Sequence, residues 1–193
     1  MSGFTRHRRS GRIIATFSGF EADLLRSLAS QLVELLRNEA AAPNGGDDPL
    51  EQLLDFSGPT TEPEDPVLAR LFPTAYVENA EAAAEFRRFT EGGLRDGKAA
   101  GAATIIDTLE DAGLPTDLGD QKVVIDVELD EPAALVWLKS FTDLRLALAT
   151  RLEVEQDDEA FWRALPDDDP RSQAHDIYEW IGALQETLVD ALR

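Results

Sequence analysis

Apolar residues recur along this chain in two rhythms. In Ile13–Phe17 and in Val123–Val127 they form short β-branched runs, the mark of strands with one face buried. In Leu24–Leu36, Leu135–Leu152 and Ile177–Leu192 they return every three or four residues, which places them on one side of a helix. The stretch Gln121–Leu152 contains both rhythms. It predicts a strand over Lys122–Glu128, a cap at Asp130, and a long helix from Glu131 to about Leu152. Leu135, Leu138, Phe141, Leu144, Leu148 and Leu152 make up its expected buried face. Val136, Trp137, Leu146 and Ala149 carry apolar character to its other sides, so the helix is expected at the centre of a bundle.

The same order of strand, capped turn and Leu-rich helix opens the chain. Phe4–Arg8 and Arg12–Phe17 read as two strands joined at Ser10-Gly11. Ser18 and Glu21 have the spacing of a capping box, in which each side chain serves the other's backbone N–H. A helix to about Asn38 follows. Three strands suffice for a small antiparallel sheet, and the two helices can cover one face of it.

Between these units the pattern predicts smaller elements. Leu50–Phe56 suits a short helix, as does the segment after Asp65-Pro66. Ala80–Ala112 suits one long helix capped by Asn79, with Phe86 and Phe89 on its buried side and a kink or frayed turn around Gly92–Gly97. Gly113 ends it. Asp158–Leu165 is a short helix, and Pro170–Leu192 the last one. The fold class is therefore α+β, mostly α: a helical bundle with a small antiparallel sheet made by an N-terminal hairpin and a mid-chain strand. Residues 1–193 form a single domain, with a basic hairpin over 1–17 and a mainly helical body over 18–193.

Composition narrows the chemistry. The 193 residues hold no cysteine, so a disulfide, a thiolate metal site and a cysteine nucleophile are all excluded. The start lacks the apolar segment of a secretory signal, and no stretch has the length of a membrane span. A cytoplasmic protein is expected, with no membrane contact. The net charge is −20, which opposes unaided binding to nucleic acid. The amino terminus is the exception, with Arg6, Arg8, Arg9 and Arg12 and no acid in residues 1–12. Without those four, 14 basic residues face 38 acidic ones, a balance of −24 for residues 13–193.

No catalytic or metal-binding pattern emerges. His7 and His175 lack partners at ligand spacing. The acidic runs do not match a calcium loop. Gly92–Lys98 contains the glycine spacing and lysine of a phosphate-binding loop, but Ala99 stands where a Ser or Thr must hold magnesium, and the segment before it is helical. The expectation is a protein that is not an enzyme and needs no cofactor or metal.

Two groups remain as contact sites. The hairpin arginines Arg6, Arg8, Arg9 and Arg12 can meet nucleic acid or an acidic partner. Neutralising four phosphates gives a log-log salt slope of only about −3.6, so DNA binding would be weak. Arg87, Arg88, Asp143, Arg145 and Arg151 lie among apolar helical positions. They fit either a structural interhelical charge cluster or a pocket for a small ligand. Homodimerisation is compatible with the sequence, although no heptad seam marks an interface.

Four stretches carry a family resemblance: Asp65–Pro73, Ala83–Thr90, Trp137–Leu152 and Tyr178–Leu188. Together they resemble an actinobacterial family long described as a domain of unknown function and now named after the oxidative-stress transcriptional regulator AosR. The resemblance spans nearly the whole chain and rests on dispersed helical patterns. It implies a regulatory protein of the actinobacterial cytoplasm, often encoded beside the protease adaptor ClpS. It also implies redox sensing through a cysteine pair and action with a sigma factor, and the absence of cysteine here departs from that. A transcription-associated interaction protein is the leading expectation, with the transcription machinery as partner. A partner in ClpS-linked proteolysis and a small-molecule-binding helical domain are the alternatives.

Overall fold

A computed structural model describes residues 3–38, 58–119, 122–166 and 168–193. Strands β1 (Thr5–Arg6) and β2 (Ile13–Ser18) form the hairpin and run into helix α1 (Gly19–Asn38). Helices α2 (Pro66–Leu71) and α3 (Ala80–Asp111) come next. They are followed by β3 (Val124–Leu129), α4 (Glu131–Leu152), α5 (Glu159–Arg163) and α6 (Pro170–Leu192). The architecture is the expected mostly helical α+β. The short helix expected over Leu50–Phe56 lies outside the described residues.

The sheet has the order β1-β2-β3 and is antiparallel throughout. Ile13 pairs with Leu129 and Ser18 with Val124. Strand alternation then sorts the side chains. Ile13, Ala15, Phe17, Ile125, Val127 and Leu129 are buried, while Thr16, Ser18, Val124, Asp126 and Glu128 face solvent. Helices α1 and α4 both meet the buried face. The two strand–helix units thus stand side by side, tied at their junction by the Gly19 N–H donating to the Val123 carbonyl at 2.8 Å. A Cβ at Gly19 would lie 2.8 Å from the Val123 side chain, so this junction requires glycine.

Capping chemistry set the helix starts where the sequence placed them. The Ser18 N–H donates to the Glu21 carboxylate at 2.8 Å, and the Glu21 N–H returns to Ser18 Oγ at 3.3 Å. Asp65, Asn79, Asp130 and Asp169 each accept backbone N–H groups of the first turn of α2, α3, α4 and α6. Gly113 ends α3 in the left-handed region, at φ +95°.

The centre of the core is aromatic. Phe4, Phe17, Trp137 and Phe141 pack with ring centroids 5.7–6.5 Å apart. Trp137, expected on a secondary side of α4, is fully buried, and Leu135, expected inside, is exposed. The helix is rotated so that Ala134, Trp137, Phe141 and Leu144 face inward. Its neighbours are α2, α3 and α6, which confirms its central place.

Helix α3 departs most from expectation. It runs through Gly92, Gly93 and Gly97 without interruption. Phe86 and Phe89 point outward, with 43% and 63% exposure, while Arg87, Glu91 and Arg95 are buried. The physical reason is charge pairing. One carboxylate shared by two guanidinium groups offsets much of the cost of burying them.

Candidate functional site

The four hairpin arginines have two different fates. Arg6 Nε donates to the Ala191 carbonyl at 2.8 Å and its Nη2 to the Leu192 carbonyl at 3.2 Å. These carbonyls end α6, where no intrahelical donor remains and the helix dipole is negative. The Phe4 N–H adds a bond to Thr187 Oγ1 on the same helix. Arg12 pairs with Glu128 of β3 at 3.0 Å. Arg6 and Arg12 therefore fix the base of the hairpin. Arg8 and Arg9 occupy the turn, closed by the His7 N–H to the Arg12 carbonyl at 2.7 Å. Both are exposed, and neither has a hydrogen bond or ion pair among the described residues. His7 is held by Ser10 at 2.8 Å within the same turn.

The second group of candidates is dispersed. Arg87 and Arg95 both bond to Glu91, at 2.5 Å and 2.7 Å. Arg87 reaches on to the Phe72 carbonyl at 3.1 Å. Arg95 stacks on the Phe72 ring at 4.8 Å. This buried triad ties α3 to the end of α2. Arg88, one residue along, is exposed and lies over the Phe89 ring at 5.1 Å. Asp143 pairs with Lys98 at 2.6 Å across α3 and α4. Arg145 bonds to Gln185 at 3.1 Å and to Tyr178 at 3.2 Å. Its guanidinium lies against Gly182, where a Cβ would come within 3.3 Å. Arg151 pairs with Asp65 at 2.7 Å. Arg87, Asp143, Arg145 and Arg151 thus serve separate contacts between elements, Arg88 stays on the surface of α3, and the five do not converge on one pocket.

Glu91, Arg95 and Lys98 belong with these contacts, although the sequence reading singled out only Lys98, and that as the lysine of a rejected phosphate-binding pattern. The signal was present as Arg87, Glu91 and Arg95 at successive steps of four, one charged row on one side of a helix. His175 stacks on Trp162 at 4.4 Å and flanks Tyr178, so it works as an aromatic spacer between α5 and α6.

A groove of about 640 Å³ runs between α3 and α4, past Gly93, Leu94, Gly97 and Val136. Its charges Lys98 and Asp143 neutralise each other, and Lys139 stands exposed at its rim. The glycine-rich segment Gly92–Lys98 is wholly helical, so its N–H groups are spent on the helix and form no phosphate cradle. Among the described residues no group of three or more His, Asp and Glu is arranged to hold a metal ion, and no helix is long and apolar enough to cross a membrane.

Similarity to known proteins extends over nearly the whole chain. Proteins named oxidative stress regulator AosR, from Mycobacterium tuberculosis and Mycobacterium bovis, are 29% identical over 197 residues, spanning 94% of this chain and 83% of theirs. A protein named putative oxidative stress regulator AosR, from Mycobacterium leprae, is 32% identical over 89% of this chain and 78% of its own. No solved structure matches. Residues 1–192 match the domain of unknown function DUF2017, and the chain belongs to that family.

Proposed function

We propose that this chain is a non-enzymatic regulatory protein of transcription that works by macromolecular contact. Its hairpin presents Arg8 and Arg9 to nucleic acid or to an acidic protein surface. The observation that carries this reading is the division of labour among four neighbouring arginines. Two are consumed in anchoring the hairpin to α6 and β3, and two project from its turn. An anchored ribbon with free cations at its tip loses little order on contact. The names of its mycobacterial relatives support a regulatory role in oxidative stress. With no cysteine in the 193 residues, no thiol of this chain senses the oxidant, and another signal, or a purely structural and interaction role, takes the place of a thiol switch.

Two free cations bound the strength of direct DNA contact. Neutralising two phosphates gives a log-log salt slope of about −1.8, and the remainder of the chain is strongly acidic. Any stable attachment to DNA therefore needs a second protein. The test is a salt titration of binding to duplex DNA and to purified RNA polymerase, with wild type beside Arg8→Ala/Arg9→Ala. Loss of binding in the variant, with an unchanged melting temperature, supports the hairpin contact. Equal affinity of variant and wild type for both removes the hairpin from function.

A further inference from the structure

Helix α3 is turned inside out over its first half. Arg87, Glu91 and Arg95 occupy the protein-facing side, and Phe86, Phe89 and Leu94 the solvent side. Tyr76 and Val77, just before the helix, are exposed as well, at 49% and 88%. The Tyr76 ring meets Phe86 edge-on at 5.7 Å. Of the nine large apolar side chains exposed among the described residues, five are therefore gathered here. Such a cluster marks an interaction surface more often than chance scatter. Aromatic side chains are also the residues that dominate binding energy at interfaces.

The same outer side continues into Gly93 and Gly97, at steps of four from Phe89. A Cβ at either glycine would meet nothing within 4 Å. Each costs the helix about 1 kcal/mol against alanine, and nothing inside the protein requires it. What the bare backbone permits is close approach from outside. The acids beside this side are Glu85 and Asp96, both exposed, with Arg88 the cation beside Phe89.

We propose that this side of α3 is a docking surface for a basic amphipathic helix of another protein. Apolar residues of that helix would lie on Phe86, Phe89 and Leu94, and its Lys or Arg residues would meet Glu85 and Asp96. Helix-in-groove recognition supplies the geometry, and charge complementarity selects the partner. A second copy of this chain is the wrong occupant. It would bring two bodies of charge −20 together and set the same acids against each other. The surface lies on a different element from the hairpin, and the proposal stands whether or not Arg8 and Arg9 touch nucleic acid.

The test uses the full chain and a fluorescent Leu/Lys amphipathic peptide of about 18 residues, about 27 Å long as a helix. A peptide of the same pattern with Glu in place of Lys is the control. Anisotropy titration should show binding of the Leu/Lys peptide and none of the Leu/Glu peptide. Phe89→Ser, which alters an exposed ring whose contact is Arg88, should weaken binding at least about tenfold at constant melting temperature. Arg8→Ala/Arg9→Ala should leave it unchanged. Gly97→Ala should raise the melting temperature by about 2–4 °C through helix propensity and at the same time weaken the peptide. Failure of the Leu/Lys peptide to bind overturns the proposal. So does equal affinity in Phe89→Ser, which would make the binding mere charge. Self-association of the wild type in sedimentation, abolished by Phe89→Ser, would assign the surface to a second copy instead.

Discussion

Arg6 closes the carboxyl end of α6 by donating from Nε to the Ala191 carbonyl, across 185 positions of sequence. A cation at this place offsets the helix dipole and fills the bonding capacity of carbonyls that no N–H can reach. It also binds the first strand to the last helix. Replacing it with alanine should cost about 1.5–3 kcal/mol, the range for hydrogen bonds to a charged group. Arg8→Ala and Arg9→Ala should stay within about 0.5 kcal/mol of wild type, as exposed substitutions do. Urea denaturation of the three variants measures the contrast. Equal losses at all three positions would mean that the hairpin is held as a whole and not by its base.

The buried triad on α3 makes the second prediction. Glu91 is 2% exposed and carries both Arg87 and Arg95. Glu91→Gln removes the carboxylate charge that Arg87 and Arg95 share in the interior and should destabilise by about 3–5 kcal/mol. The combined change Arg87→Met, Glu91→Leu and Arg95→Met removes the charges together. It should recover most of that loss, because apolar side chains of similar volume replace buried ions at little cost. Chemical denaturation compares the two. A Glu91→Gln variant as stable as wild type would show that solvent reaches the triad.

How much of this was legible in the sequence depended on the range of the interactions. Ser18, Glu21, Asp65, Asn79, Asp130 and Asp169 act on backbone groups two or three residues away, so the starts of the helices could be read from local pattern. Helices α1 and α6 bury leucine stripes of ordinary spacing and were equally plain. Helix α3 was not, since Phe86 and Phe89 show the spacing of a core face while the charges beside them do the burying. The pairing of Glu91 with Arg87 and Arg95 makes that orientation tolerable, and it depends on which side of the helix meets Phe72. The hairpin site was half legible. Four arginines stand together in the chain, but the loss of Arg6 to α6 and of Arg12 to β3 is set by contacts more than a hundred residues distant.

Acid should weaken the fold through Asp65 and Asp169. Burial raises the Asp65 pKa, but the Arg151 hydrogen bond and the N–H groups of Val67 and Leu68 together outweigh it and hold it below its ordinary 3.8. Asp169 is held at about 2 by its hydrogen bonds to Arg171. A carboxylate with a lowered pKa in the folded state contributes fully above its unfolded value. That contribution is lost as pH falls through the folded one. For Asp169 the window lies between about pH 4 and about pH 2, and for Asp65 it lies below the ordinary 3.8. Asp65→Asn preserves the cap, since Asn serves there nearly as well, and removes the charge facing Arg151. The difference in urea midpoint between it and wild type should be present at about pH 6 and shrink as pH falls below the ordinary carboxylate range. The pair is partly solvated, so its size should not exceed about 1 kcal/mol.

Gly101 tests the close approach of α3 to α4. A Cβ there would lie 2.9 Å from Ser140 Oγ, and Ser140 is itself 3% exposed, so the hydroxyl has little room to move. The helix-propensity gain of Gly101→Ala, about 1 kcal/mol, is thus opposed by overpacking of about 1–3 kcal/mol, and the single variant should be destabilised or at best neutral. Ser140→Ala removes the obstructing atom. In the double variant the propensity gain should reappear, giving a coupling between the two sites of about 0.5–3 kcal/mol. Gly97→Ala, one turn earlier and open to solvent, should gain stability with no dependence on Ser140. Additive behaviour of Gly101→Ala and Ser140→Ala would place the two helices farther apart than the packing of Gly101 against Ser140 requires.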